Sequence, residues 1–84
     1  MNPVVGLDVS KGERQVQAFL DKSQPYGKSF SISLTREGLD TFLHFLKSVE
    51  SITGKQPPVV LESTGHYQTP ITQFLEEQNY LYFL

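Results

Sequence analysis

The spacing of hydrophobic and polar residues changes along the chain. Two short apolar runs, at 4–9 and 59–62, are typical of strands that are buried on both faces of a sheet. Between 14 and 34, apolar and polar residues alternate, as in half-exposed antiparallel strands. The pattern therefore predicts a three-stranded meander with strands over 4–9, 14–20 and 28–34 and turns over 10–13 and 21–26.

A helical period follows the meander. Apolar residues recur at helical spacing and form one stripe, which consists of Leu39, Phe42, Leu43, Leu46 and Val49. Thr35 is the predicted N-cap and Gly54 the predicted C-cap, and two prolines after Gly54 prevent any continuation. This pattern predicts one amphipathic helix between the third and fourth strands.

A second helix and a fifth strand complete the prediction. Thr69 as N-cap with Pro70 at the first helical position predicts the start of this helix, and Asn79 its end. Residues 80–84 are mostly apolar and predict a strand. Because the sequence stops within that apolar run, we expect the 84 residues to be a fragment of a longer protein.

The predicted order β-β-β-α-β-α-β is that of the opening of the ribonuclease H-like fold, to which RuvC-like domains belong. We therefore expect an α/β fold with a three-layer sheet, of which residues 1–84 form a single truncated N-terminal part. The first strand should be central, flanked by the second and fourth.

Each of the two apolar runs ends in a carboxylate, at Asp8 and at Glu62. A buried acid is costly without a partner. The first and fourth strands of this fold are parallel neighbours, so their acids should meet at the ligand-binding edge. Oxygen ligands in a chain without cysteine favour Mg²⁺ or Mn²⁺. A pair of such ions supports phosphoryl transfer.

Two motifs carry a resemblance to a known family. Gly6-Leu7-Asp8-Val9-Ser10-Lys11 and Glu62-Ser63-Thr64-Gly65-His66-Tyr67 together resemble the N-terminal RuvC-like domain of the insertion-sequence-110 family of transposases. The resemblance covers essentially the whole chain.

The resemblance implies a catalytic site with an Asp-Glu-Asp-Asp set. Asp8 matches the first Asp and Glu62 the Glu, as catalytic and metal-binding residues, whereas the other two Asp belong to a later helix that this chain lacks. The implied function is DNA strand cleavage and rejoining in transposition. The family also has a separate C-terminal domain with a catalytic serine and uses a guide RNA. We expect this fragment alone to be inactive.

Charge and composition limit the partners. Seven Lys and Arg stand against nine Asp and Glu, a net charge of −2, so nucleic-acid contact should be weak or shared with absent parts. No apolar run approaches the roughly 20 residues of a membrane span, and the N-terminus lacks signal-peptide features, which favours a soluble cytoplasmic protein. An exposed final strand should favour homo-oligomers.

Alternatives remain open for the function and for single residues. An actin-like or sugar-kinase-like phosphotransferase also begins with a strand, an Asp and a tight hairpin, and a non-catalytic dimerisation scaffold is the third hypothesis. Asp8 could instead cap the following turn, and Glu62 could pair with Lys11 or Arg14. The remaining motif residues are more often turn, capping, surface or packing residues; these are Ser10, Ser63, Thr64, His66 and Tyr67.

Overall fold

The computed structural model describes residues 2–10, 13–21, 24–63 and 67–84. The elements follow the order β-β-β-α-β-α-β, as predicted. They are β1 (Val4–Ser10), β2 (Glu13–Asp21), β3 (Gln24–Ser31), α1 (Arg36–Thr53), β4 (Val59–Ser63), α2 (Thr69–Glu77) and β5 (Tyr82–Phe83).

The five strands form one mixed sheet in the order β3-β2-β1-β4-β5. β1 runs antiparallel to β2 and parallel to β4, and β5 is parallel to β4. The prediction of a central first strand flanked by the second and fourth is therefore confirmed.

Both helices contribute to one core on one face of the sheet. In β1 the buried residues alternate with exposed or half-buried ones, so Val5, Leu7 and Val9 point toward the helices. The helical residues in this core are Phe42, Leu46 and Val49 of α1 and Ile71 and Leu75 of α2. The described residues thus supply the sheet and one helical layer of the predicted three-layer arrangement. They leave the second face of the sheet open.

The ends of α1 follow the local sequence as predicted. The Thr35 Oγ1 accepts a hydrogen bond of 3.0 Å from the Gly38 N–H, and Gly54 closes the helix at φ 74°. Gly38 packs tightly against the chain that enters the helix, because a Cβ there would lie 1.9 Å from the Ser33 carbonyl oxygen. Glycine therefore allows α1 to start close to the end of the meander.

Several element bounds differ from the sequence prediction; β3, for example, ends at Ser31 and not at residue 34. β3 begins at Gln24 and includes Pro25, whereas the prediction placed a turn there; an edge strand tolerates a proline because it has an unpaired side. Gln68, not Thr69, precedes the first turn of α2 and has no side-chain cap. β5 is limited to Tyr82–Phe83. The predicted turn residues Lys11, Gly12, Lys22 and Ser23 lie outside the described residues.

Candidate active site

Asp8 of β1 and Glu62 of β4 lie side by side on the open face of the sheet. They are register partners in the parallel pair, where neighbouring strands are about 4.8 Å apart. Partners in register project to the same face, and both side chains are exposed. The structure thus confirms the predicted adjacency of the two acids.

Neither carboxylate has a structural partner among the residues that the structure describes. Among the described residues, no hydrogen bond or ion pair reaches Asp8 or Glu62. Arg14 belongs to the other face of β2, with Val16 and Ala18, and its buried Nε has no hydrogen-bond partner in the described part of the chain. The alternative pairing of Glu62 with Arg14 is therefore not made, and Lys11 lies outside the described residues.

A depression of about 250 Å³ opens on this face beside the two acids. The residues that line it include Gly6, Asp8, Gln15, Gln17, Val60 and Glu62. A Cβ on Gly6 would contact only the Gln17 carbonyl oxygen at 3.7 Å, an ordinary van der Waals distance. Neither the backbone conformation at Gly6 nor close packing within the described residues therefore requires a glycine at this position. The absence of a side chain leaves space next to the acids.

A row of polar side chains crosses four strands through the acid pair. Gln15 of β2 is the register partner of Asp8 on one side and of Ser31 in β3 on the other. The Gln15 Nε2 donates a hydrogen bond of 2.8 Å to the Ser31 Oγ. The alternation of apolar and polar residues over 14–34 predicts a half-exposed strand here but assigns no role to Gln15. The signal that could have found it is the register between the first two strands.

The other residues of the second motif have structural positions where they are described. The Ser63 Oγ donates a hydrogen bond of 2.9 Å to the Gln68 Oε1, so Ser63 ties the end of β4 to the start of α2. The contact joins two side chains and caps no backbone N–H of α2. Tyr67 is 42% exposed and does not belong to the core. Thr64 and His66 lie outside the described residues.

The open face becomes apolar toward β5. Val60 of β4 and Phe83 of β5 are register partners, and they are 40% and 52% exposed. Leu81, two residues before Phe83, is 61% exposed. The uncovered face therefore combines an acidic part over the central strands with an apolar part near the edge.

The fold and the paired acids define an α/β domain of the RuvC-like, ribonuclease H-like class. The model of the DEDD transposase family of insertion-sequence-110 elements, described as a transposase, matches residues 5–84. The chain belongs to this transposase family. No curated protein matches the chain.

Family membership fixes the general chemistry. A transposase acts on DNA, and a DEDD family uses divalent metal ions in general. Within the described residues, no cluster of three or more Asp, Glu, His or Cys is placed to hold a metal. As a separate finding, none of the described helices is both long and apolar enough to cross a bilayer.

Proposed function

We propose that Asp8 and Glu62 are catalytic, metal-binding carboxylates of a RuvC-like transposase that cleaves and rejoins DNA strands. The observation that carries the proposal is their register pairing on the open sheet face, where neither acid has a protein partner among the described residues. Like charges at this spacing disfavour each other unless a cation lies between them. The arrangement is therefore suited to a cation.

The chemistry of the donor set fits Mg²⁺ or Mn²⁺. Both donors are carboxylate oxygens, which hard divalent cations prefer, and both are exposed, so the ion can keep several of its waters. Asp8 and Glu62 would hold the ion over the carboxyl-terminal halves of β1 and β4. When bound, the ion supplies charge stabilisation to the oxygens of the reacting phosphate.

Two carboxylates are half of an Asp-Glu-Asp-Asp set. We infer that residues 1–84 form the N-terminal part of the catalytic domain, and that residues outside this range supply the other two Asp. With two acids and a net charge of −2, the chain alone should hold metal loosely and bind DNA poorly. The 84-residue chain is therefore inactive in strand cleavage under this proposal.

The two alternative functions are less well supported. Membership in a transposase family favours DNA chemistry over an actin-like or sugar-kinase-like phosphotransferase. A non-catalytic scaffold gives no reason for two carboxylates that lie side by side in the sheet centre without a partner among the described residues, because their repulsion lowers the stability of the fold.

The proposal is tested by a metal titration of the ¹⁵N-labelled 84-residue chain, observed by NMR. Mn²⁺ should broaden the backbone amide signals of Asp8 and Glu62 first, and Asp8→Asn should remove this effect. Glu76 and Glu77, two exposed acids of α2, are the matched control for adventitious binding. Equal broadening at the helical acids, or no loss in Asp8→Asn, would overturn the proposal.

A further inference from the structure

We propose that Gln15 is a positioning residue of this site. Ser31 orients the amide of Gln15, and this amide aligns the waters of a metal ion held by Asp8 and Glu62. The inference rests on the proposed function. It assigns a role to a neutral side chain on β2, a strand that contributes neither of the two acids.

The position of Gln15 follows from the sheet. β1 lies between β2 and β4, so Asp8 has Gln15 as its register partner on one side and Glu62 on the other. All three side chains therefore share one row on the open face. Gln15 is half-buried, whereas both acids are exposed.

The amide of Gln15 is held at its far side. Its Nε2 donates to the Ser31 Oγ at 2.8 Å, across the β2–β3 pair. A primary amide has two N–H donors and one carbonyl acceptor. Ser31 takes one donor, and among the described residues nothing takes the other donor or the Oε1. Gln15 is thus fixed in orientation but keeps free hydrogen-bonding groups next to Asp8.

A neutral amide suits this position. A lysine or arginine here would offset the negative charge that attracts the cation. An amide can instead bond to a carboxylate oxygen or to a metal-held water without changing the charge of the site. Groups that orient ligands from outside the coordination shell change metal affinity or activity by about 10–100-fold when removed.

Gln17 provides the internal comparison. It is on the same face of β2, one row away, opposite Gly6 rather than an acid. Its Nε2 donates to the Ala18 carbonyl at 3.0 Å and to the Gly27 carbonyl at 3.3 Å, where the register between β2 and β3 shifts. Gln17 also lines the depression, but its amide nitrogen donates to two backbone carbonyls and stabilises the irregular strand pair, and its register partner is a glycine and not an acid.

The experiment measures the Mn²⁺ dissociation constants of the wild-type 84-residue chain and its variants by NMR titration. Thermal unfolding of the same proteins gives their melting temperatures. Gln15→Ala should weaken Mn²⁺ binding by about tenfold, the lower end of such outer-shell effects. Gln15→Glu should tighten binding, because it adds a charged oxygen beside the ion. Ser31→Ala should cause a smaller loss than Gln15→Ala. Gln17→Ala should leave Mn²⁺ affinity unchanged, whatever its effect on melting.

The outcomes separate this inference from the proposed function. If Gln15→Ala and Gln15→Glu bind Mn²⁺ like wild type while Asp8→Asn and Glu62→Gln lose binding, Gln15 has no role and the acid site stands. If Ser31→Ala binds like wild type while Gln15→Ala is weakened, the orienting role of Ser31 is wrong. If Asp8→Asn and Glu62→Gln bind like wild type, or the wild type binds no Mn²⁺ at millimolar concentration, both proposals fail.

Discussion

Asp8 and Glu62 are register partners on adjacent parallel strands, although two strands and an 18-residue helix separate them in the chain. The connection from β1 to β4 passes through the meander and α1 before the chain returns beside its first strand. The site is therefore created by topology, since neither motif contains both acids. Each motif supplies a strand with one buried face and a carboxylate on the uncovered face.

Two glycines of this fold should respond in opposite ways to an added methyl group. Gly38→Ala places a Cβ 1.9 Å from the Ser33 carbonyl oxygen, so α1 must shift, and the free energy of unfolding should fall by about 1–3 kcal/mol. Gly6→Ala meets only an ordinary contact at 3.7 Å. Because alanine suits a strand interior better, stability should stay unchanged or rise by about 0.5–1 kcal/mol.

Urea unfolding of the two glycine variants measures this difference. The dependence of the unfolding free energy on urea concentration should be the same in both variants, so that their unfolding midpoints report the difference in stability. A larger loss of stability in Gly6→Ala than in Gly38→Ala would contradict this prediction, because the structure leaves space for a methyl group at Gly6 and not at Gly38.

The fold was predictable because each element has a strong local signal, whereas the row that contains Gln15 was not. The strands that carry Asp8 and Glu62 lie where the sequence places them, but each is buried on one face only, whereas the sequence predicts burial on both. The cap at Thr35 and the left-handed Gly54 also lie at the predicted positions. The partner of Gln15 depends on the pairing of β2 with β3, and this pairing is shifted by irregularities after Val16 and Phe19. The sequence predicts a turn at Pro25, because the position of its strand at the sheet edge follows only from the tertiary structure.

Tyr80 should make the fold sensitive to alkaline pH. Its buried ring packs in the core, and its hydroxyl donates to the Glu50 Oε2 at 3.5 Å. Burial raises the pKa of Tyr80 above its ordinary value of 10.0, and the charge of Glu50 and this hydrogen bond raise the pKa further. Above about pH 10 the unfolded chain loses this proton before the folded chain does, so stability falls as pH rises.

Tyr80→Phe tests this pH dependence. The variant cannot ionise at this position, so its melting temperature should decline less between pH 9 and pH 11 than that of wild type. An equally steep decline in both proteins would contradict the role of Tyr80. Tyr82→Phe is the comparison variant: the hydrogen bond to Glu76 also raises the pKa of Tyr82, but Tyr82 is less buried than Tyr80, so this variant should reduce the alkaline decline less than Tyr80→Phe does.

The apolar part of the open face should cause the 84-residue chain to associate with itself. Val60, Leu81 and Phe83 are all more than a third exposed, and β5 is an edge strand. Apolar patches and unpaired edges recruit partners. Sedimentation velocity should show dimers or larger species at high concentration, and Phe83→Lys should shift the population toward monomer. A wild-type chain that stays monomeric at high concentration would refute this prediction.

The central claim concerns the chemical role of the acid pair, and the variants Asp8→Asn and Glu62→Gln test it most directly. Neutralising one acid relieves repulsion in the metal-free fold but removes an oxygen anion that the cation needs. The two variants should therefore melt at or above the wild-type temperature. In the transposase of which we propose this chain to be the N-terminal part, each should abolish transposition.

A structural ion pair predicts the reverse pattern: because both acids are exposed, loss of such a pair would lower the free energy of unfolding by up to about 1 kcal/mol and leave the activity per folded molecule intact. The deciding measurement is thus the melting temperature of each variant together with its transposition activity per folded molecule. Our account predicts lost activity with retained or raised stability. Variants that melt much earlier and yet keep their activity per folded molecule would contradict the catalytic assignment of Asp8 and Glu62.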